Sequence, residues 1–204
     1  YDTHDLGSDV HGIVDNTDEN TAHITVMVGP QLKTQERPRF PLSDLFTVMQ
    51  ESAALLGDSF AFHLQDVTAV GHRVVHGGSK FHSAAVITPA VIADIEALSL
   101  FAPLHNPVNV DGIREAMKQF PHIPHVAVFD TAFHQTLPPY AYLYGLPYDL
   151  YKKDGIRRYG FHGTSHRYVS LKSAEVLKRP LGELEIVSCH LGIGASLCAI
   201  DHGR

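Results

Sequence analysis

Cysteine is scarce in this sequence. Cys189 and Cys198 are the only two among 204 residues, too few for the disulfide framework of a small secreted protein. We expect both to be buried thiols in strands, although their nine-residue separation across a hairpin would also allow them to meet.

Long apolar runs and long basic runs are also absent. No stretch approaches the ~20 consecutive apolar residues of a membrane span, and residues 1–5 have neither the basic start nor the apolar run of a signal peptide. The formal net charge is −6 at pH 7, and basic residues cluster no further than pairs such as Lys152-Lys153. We therefore expect a cytoplasmic protein with no membrane or nucleic-acid partner, in which a small anionic substrate would need a local basic site.

Histidine, in contrast, is abundant. The chain has 15 histidines, and several stand beside glycine, where the backbone can come close to a ligand. Most of them are expected to be surface imidazoles or hydrogen-bonded core residues.

The first half of the chain changes from polar turns to alternating helix and strand. The first 40 residues contain one predicted strand, at 24–28. Apolar residues then recur at helical spacing from Leu45, with Gly57 as the expected C-terminal cap, and residues 67–75 are typical of a strand.

Two helix starts follow, each with a capping residue before proline. Thr88-Pro89 and Asn106-Pro107 both have this form, which places His105 at a helix entry. Residues 125–130 predict a buried strand that ends on Asp130, and ligands collect at such strand ends in open α/β sheets.

The last third begins with a connector rich in Pro and Tyr, residues 137–151, which is the candidate domain boundary. A glycine turn at 160–164 leads into a helix, and strands are expected at 184–190 and 196–201. The apolar stripe of that helix is predicted at Val169, Val176 and Leu177. The pattern indicates an α/β protein with two sheets.

Arg73 stands inside an apolar strand, in the motif VGHRVVHGG (70–78). A buried guanidinium needs an anionic partner. Two interpretations stay open: a structural ion pair with a protein carboxylate, or a clamp for a substrate carboxylate or phosphate, to which the planar fork of Arg is suited.

Asp130, at the end of its strand, is either a helix cap or a metal-facing acid. Magnesium in phosphoryl transfer prefers few carboxylates together with water and phosphate oxygens, so one Asp would suffice.

Two glycine-rich turns carry histidine. In GFHGTSH (160–166), Thr164 or Ser165 could cap a helix whose free N–H groups bind an anion beside His162. A metal site at His162 and His166 is the less favoured alternative, because the Glu of a zinc-protease motif is absent. In HLGIGAS (190–196), backbone N–H groups could cradle phosphate, although a glycine pair is also common in tight hairpins.

Together, five motifs in this order resemble the acetate kinase family. They are VGHRVVHGG (70–78), FAPLHNP (101–107), VAVFDTAFHQT (126–136), GIRRYGFHGTSHRYV (155–169) and CHLGIGAS (189–196). The resemblance implies an α/β, RNase H-like fold of the actin-like ATPase type with two domains. Residues 1–136 would form the N-terminal domain without its first strand, and residues 137–204 would begin an incomplete nucleotide-binding domain.

The resemblance also implies a reaction and its residues. Acetate and ATP would give acetyl phosphate and ADP, reversibly, with Mg²⁺ as cofactor, in a homodimer. Arg73 would hold the carboxylate or the transferring phosphoryl group, His162 would stabilise its charge, and Asp130 would be the acid near Mg²⁺. The acyl pocket would be formed by Val75, Leu104 and Phe161, with His105 in support. The ATP phosphates would face His190, Leu191, Gly192, Ile193 and Gly194.

Three departures from the family pattern qualify this expectation. The phosphate loop Asn-x-Gly-Ser-Ser-Ser of the family does not occur, the family pattern continues beyond Arg204, and Ile193 stands where the family has Asn. We expect a partial chain whose activity alone stays open. Two alternatives are a propionate or butyrate kinase of the same family, since one methylene changes discrimination by only ~1–3 kcal/mol, and a non-catalytic chain.

Overall fold

A computed structural model describes residues 10–15, 21–28, 31–54 and 66–204. The chain divides into two compact units, one of residues Tyr1–Thr68 with Glu115–Pro121 and the other of Ala69–Arg114 with His122–Arg204. The domain boundary expected after residue 136 stays a prediction.

The first unit contains an antiparallel sheet with strand order β1-β2-β3. Its strands are β1 (Val10–Asp15), β2 (Thr21–Val28) and β3 (Gln31–Pro38). The predicted strand at 24–28 is the end of β2. The neighbouring strands were missed, β3 because its sequence QLKTQERP is polar and, where burial is described, mostly exposed.

Alternation along β2 builds the core of this unit. Ile24 and Val26 are buried together with Val48 of helix α1 (Leu45–Ala54). The helix predicted from Leu45 is therefore confirmed, and its expected cap, Gly57, lies outside the described residues.

The second unit has a three-stranded sheet with order β4-β6-β5. Strand β4 (Val70–Val74) pairs in parallel with β6 (His125–Phe129), and β5 (Ala85–Val86) pairs antiparallel on the other side of β6. The register places Arg73 opposite Val128. Because parallel strands end at the same edge, Arg73 and the residue after β6, Asp130, come together.

Two helices lie between β5 and β6. Helix α2 (Pro89–Ala97) begins as predicted: the Thr88 hydroxyl accepts a hydrogen bond from the Val91 N–H at 3.3 Å, and Pro89 follows. Helix α3 (Asn106–Gln119) starts at Asn106 itself. The prediction that Asn106 caps this helix was wrong, because its buried amide binds the backbone N–H and carbonyl of His76 and the carbonyl of Ile95.

The predicted connector contains two short helices, α4 (Pro139–Tyr142) and α5 (Tyr148–Asp154). Helix α6 (Gly163–Leu177) follows and packs on a hairpin of β7 (Glu185–Leu191) and β8 (Ala195–Asp201). This two-stranded sheet is the third among the described residues, where the pattern predicted two.

The buried face of α6 differs from the predicted one. Val169, Val176 and Leu177 are exposed, and the helix instead buries Gly163, His166, Ser170 and Ala174. Small residues one turn apart bring a helix close to its neighbour, and hydrogen bonds satisfy the buried His166. A search for apolar periodicity does not detect such a face.

The two cysteines lie in the hairpin as free thiols. Cys189 is exposed and Cys198 is partly buried, so the expectation that both are buried was wrong. The register pairs Cys189 with Leu197 and Cys198 with Ser188. Over the ranges that the structure describes, no helix has the length and apolarity to cross a membrane.

Candidate active site

A bidentate ion pair joins β4 to the end of β6. Nη2 of Arg73 lies 2.6 Å from Oδ2 of Asp130, and Nε lies 3.1 Å from both carboxylate oxygens. The Asp130 side chain is 2% exposed, but that of Arg73 is 62% exposed. The premise that the guanidinium is buried was therefore wrong; it reaches from solvent onto a buried carboxylate, whose hydrogen bond raises the pKa of Arg73 despite partial burial.

Backbone contacts fix Asp130 between β4 and α6. Its N–H donates to the carbonyl of Val74 at 3.0 Å, and its own carbonyl accepts from the N–H of Gly163 at 2.9 Å. The hydroxyl of Thr164 donates to Oδ1 at 3.4 Å. Asp130 therefore has little positional freedom.

Gly163 allows α6 to begin directly against Asp130. A Cβ at this position would lie 2.3 Å from the carbonyl oxygen of Asp130 and 3.0 Å from Cβ of Phe133. Any other residue would push the helix away, and His162 with it.

His162 combines two unfavourable features. Its φ is 55°, in the left-handed region that non-glycine residues rarely adopt. Its Nδ1 is buried and has no hydrogen-bond partner among the described residues. Strain and an unpaired buried polar atom at one residue are typical of functional sites. His162 occupies the N-cap position of α6, where its side chain makes no capping bond.

The expectation that Thr164 or Ser165 caps α6 was wrong. Thr164 bonds Asp130, and the Ser165 hydroxyl lies 2.9 Å from Nδ1 of His190. Both hydroxyls link the start of the helix to neighbouring elements. The His162 and His190 rings are stacked, with centroids 4.4 Å apart and planes inclined by 6°.

The segment predicted to face the phosphates, His190 to Gly194, is divided between strand and turn: His190 and Leu191 end β7, and residues 192–194 form the tip of the β7–β8 hairpin. The Gly192 N–H donates to the Gly194 carbonyl at 2.9 Å, so a phosphate contact would fall to the other amides of the loop. The side chain of Ile193 is fully exposed.

The comparisons with known proteins agree on one family. The model of the acetokinase family matches residues 2–204. The chain belongs to the acetokinase family. It is similar to the acetate kinase of Staphylococcus haemolyticus, at 54% identity over 160 residues, and to that of Staphylococcus aureus strain Mu3, at 55% over 159 residues. Each match covers 76% of this chain and 40% of the relative, so the chain spans less than half of these relatives.

Solved structures show the fold. A propionate kinase from Francisella tularensis matches with a TM-score of 0.84 at 37% identity, and the acetate kinase of Porphyromonas gingivalis with 0.81 at 39%. Both matches cover 96% of this chain and 49% of the other. The acetokinase-family chain therefore has the α/β, actin-like ATPase fold expected from its motifs.

The residues expected to line the acyl pocket differ in exposure. Val75 is partly buried, and its N–H donates to Oδ1 of Asn109. Phe161 contacts the ring of His76 and is partly exposed, whereas Leu104 is 82% exposed. His105 is also exposed. An acyl pocket at these residues stays a prediction.

A groove of about 510 Å³ opens beside the start of α6 in the second unit. Residues 82–84, the end of β6 and the first half of α6 line it, including Thr164 and Arg167. Thr164, which bonds Asp130, connects this groove to the site, and much of the lining belongs to the motifs at 126–136 and 155–169. The residues expected to contact acetate or ATP do not line it.

Sequence reasoning missed the serine and asparagine side chains that hold the site together. Asn106 binds the backbone of His76, and Ser188 and Ser196 bind His166. The available signal was weak: both serines fall on the inward side of their predicted strands, where a polar residue needs a partner.

The residues present fit Mg²⁺ only as a partner of phosphate. Within the described ranges, no group of three or more His, Cys, Asp or Glu side chains could hold a metal ion. Asp130 offers one hard carboxylate, which suits an ion that keeps water and phosphate oxygens as its other ligands. Since Arg73 occupies both its oxygens, the exposed guanidinium would have to yield one of them.

Proposed function

We propose that the protein is an acetate kinase, which transfers a phosphoryl group reversibly between ATP and acetate to give acetyl phosphate and ADP. Family membership and the relatives named acetate kinases support this proposal. The structural observation that carries it is His162, held in a left-handed conformation with a buried nitrogen that has no hydrogen-bond partner in the described part of the chain. The next residue, Gly163, binds the carbonyl of Asp130.

Each group has a role that its chemistry suits. An acetate oxygen forms the new bond to the γ-phosphorus while the bond to the β–γ bridging oxygen breaks, and ADP leaves with that electron pair. Arg73 orients acetate and the moving phosphoryl group, and His162 stabilises the charge on its oxygens. Such a transfer asks the protein mainly for positioning and charge stabilisation.

Asp130 would hold Mg²⁺, and amides of the 192–194 loop would face the ATP phosphates. When bound, Mg²⁺ neutralises phosphate charge. His190 would orient His162 through the stacked rings. The homodimer, the cytoplasmic location and a nucleotide-binding domain that begins after residue 136 stay predictions.

Propionate kinase activity is the second candidate. The structural match to a propionate kinase favours it. Pocket size discriminates one methylene by only ~1–3 kcal/mol.

Acyl phosphate formation tests both candidates. The protein in its full length is incubated with ATP, Mg²⁺ and either acetate or propionate, and acyl phosphate is trapped as the hydroxamate while ADP is measured. A higher kcat/KM for acetate is expected, and a higher value for propionate would favour the second candidate. Absence of acyl phosphate with either acid would overturn the proposal.

A further inference from the structure

A fully buried histidine outside the predicted site links α6 to both strands of the hairpin. His166 is 0% exposed. Its Nδ1 lies 2.9 Å from the hydroxyl of Ser188 on β7, and its Nε2 lies 2.9 Å from that of Ser196 on β8. One imidazole therefore bridges two strands.

We propose that His166 is a positioning residue, which locks the β7–β8 hairpin onto α6 and so sets where His190 and the 192–194 loop stand relative to His162. This inference rests on the proposed kinase function for its kinetic consequence. Its structural consequence, the placement of the His190 ring, does not depend on that function.

The contacts converge on a single turn of helix. The His166 N–H donates to the His162 carbonyl, so the two residues are one turn apart. Ser165, between them, bonds His190, and His190 stacks on His162. On β8, Ser196 pairs with His190 in the strand register and lies two residues after Gly194. Releasing Ser196 from His166 would therefore loosen the loop and the stacked pair together.

Simple core filling does not account for this arrangement. An apolar residue at position 166 would fill the space without the cost of burying an imidazole. Burial, followed by the nearby His134, His162 and His190, lowers the pKa of His166, so the neutral ring has one donor and one acceptor nitrogen. A serine hydroxyl can donate to one ring nitrogen or accept from the other. The two bonds together fix the orientation of the ring, which packing of an apolar side chain would not do.

Serine variants test this positioning role of His166 with little change in side-chain volume. Ser196→Ala removes the bond from β8. Ser170→Ala is the control: Ser170 on α6 is fully buried, more so than Ser196, but among the described residues its hydroxyl bonds only the Arg167 carbonyl of its own helix. In the full-length protein we expect Ser196→Ala to lower kcat about tenfold with KM for acetate within about twofold, and Ser170→Ala to leave both unchanged.

A second readout is independent of catalysis. ¹⁵N and ¹H NMR of the imidazoles should show shifted His190 and His162 signals in Ser196→Ala and unshifted signals in Ser170→Ala. If the His190 and His162 signals shift but the wild-type protein has no kinase activity, the positioning role of His166 stands and the proposed function is overturned. Unshifted signals, or equal kinetics in the two variants, would overturn the positioning role.

Discussion

The exposed guanidinium of Arg73 donates hydrogen bonds from two nitrogens to the buried carboxylate of Asp130. Nη2 lies 2.6 Å from Oδ2, and Nε lies 3.1 Å from Oδ1. The pair is a structural ion pair in this structure, one of the two interpretations that the motif left open. Since the guanidinium is reachable from solvent, the same side chain can also meet an incoming anion. The substrate clamp, the other interpretation, stays a prediction.

Replacing Arg73 by Lys tests this double role. An ammonium cannot reproduce the two-point contact, so we expect kcat/KM for acetate to fall by about 10²-fold or more. Unfolding free energy should fall by only about 1 kcal/mol, because Lys still neutralises Asp130. Steady-state kinetics and denaturant unfolding measure the two effects. Near-normal acetate turnover in Arg73→Lys would leave the ion pair as purely structural.

Gly163→Ala should disturb both fold and site. The added Cβ would lie 2.3 Å from the carbonyl oxygen of Asp130, and overpacking of this kind costs about 1–3 kcal/mol. Gly182→Ala is the control, since a Cβ there meets no atom of the described residues within 4 Å, and its unfolding free energy should change by no more than about 0.5 kcal/mol. Equal unfolding free energies for the two variants would mean that α6 can move freely away from β6.

The sequence could predict those parts of the fold that depend on interactions between residues close together in the chain. The cap at Thr88 and the hairpin strands follow from local chemistry and alternation, and the structure confirms them. The buried face of α6 could not be found this way, because its members are small or polar and become suitable only when Ser188 and Ser196 lie opposite. The same holds for Asn106, whose partners are remote in sequence.

The candidate site divides in the same way. Motif resemblance named Arg73, Asp130 and His162, and parallel strand pairing brings the first two together. It could not indicate that Arg73 is exposed or that the Thr164 hydroxyl binds Asp130. The Thr164 bond depends on how close α6 approaches Asp130, which requires glycine at position 163 and cannot be read from the local sequence pattern.

Two substitutions of His162 should have similar effects on activity but different effects on stability. His162→Ala is expected to lower kcat by ~10²–10³ while KM for nucleotide changes only a few fold, because charge stabilisation in the transition state is lost. His162→Gly should lose as much activity but be more stable than the Ala variant by about 1 kcal/mol, because glycine tolerates a φ of 55°. A loss confined to KM, or equal stability of the two variants, would contradict these roles.

His76 should make folding sensitive to acid. Burial lowers its pKa to about 4, and its Nδ1 accepts a hydrogen bond from the Gly78 N–H at 3.0 Å, which requires the neutral ring. The unfolded chain, with an ordinary pKa near 6.5, binds more protons between those values. Stability from His76 is therefore complete above about pH 6.5 and is lost as pH falls toward 4.

His76→Gln removes this titration and keeps an acceptor. Between pH 7 and pH 5, wild type should lose about 1–2 kcal/mol more unfolding free energy than the variant. His82→Gln, at an exposed position, is the control and should follow wild type. Parallel pH profiles for wild type and His76→Gln would show that the ring is protonated in the folded state as readily as in the unfolded chain.

Ile193 is the departure from the family motif that the structure makes testable. Asn stands at this position in the family, and its side chain could donate a hydrogen bond to phosphate, whereas Ile cannot. Because the Ile193 side chain is fully exposed at the hairpin tip, the loop has not been repacked around it, and Ile193→Asn should change unfolding free energy by less than about 0.5 kcal/mol.

The hydrogen-bond donor added by Ile193→Asn should raise kcat/KM for ATP. A hydrogen bond to a charged group is worth ~1.5–3 kcal/mol, so Ile193→Asn should raise kcat/KM for ATP at least about tenfold without altering the preference among acyl chains. Ile193→Val, which changes the side chain without adding a donor, is the control and should match wild type. Equal values for the Asn and Val variants would place the phosphates away from residue 193 and assign their contact to other groups.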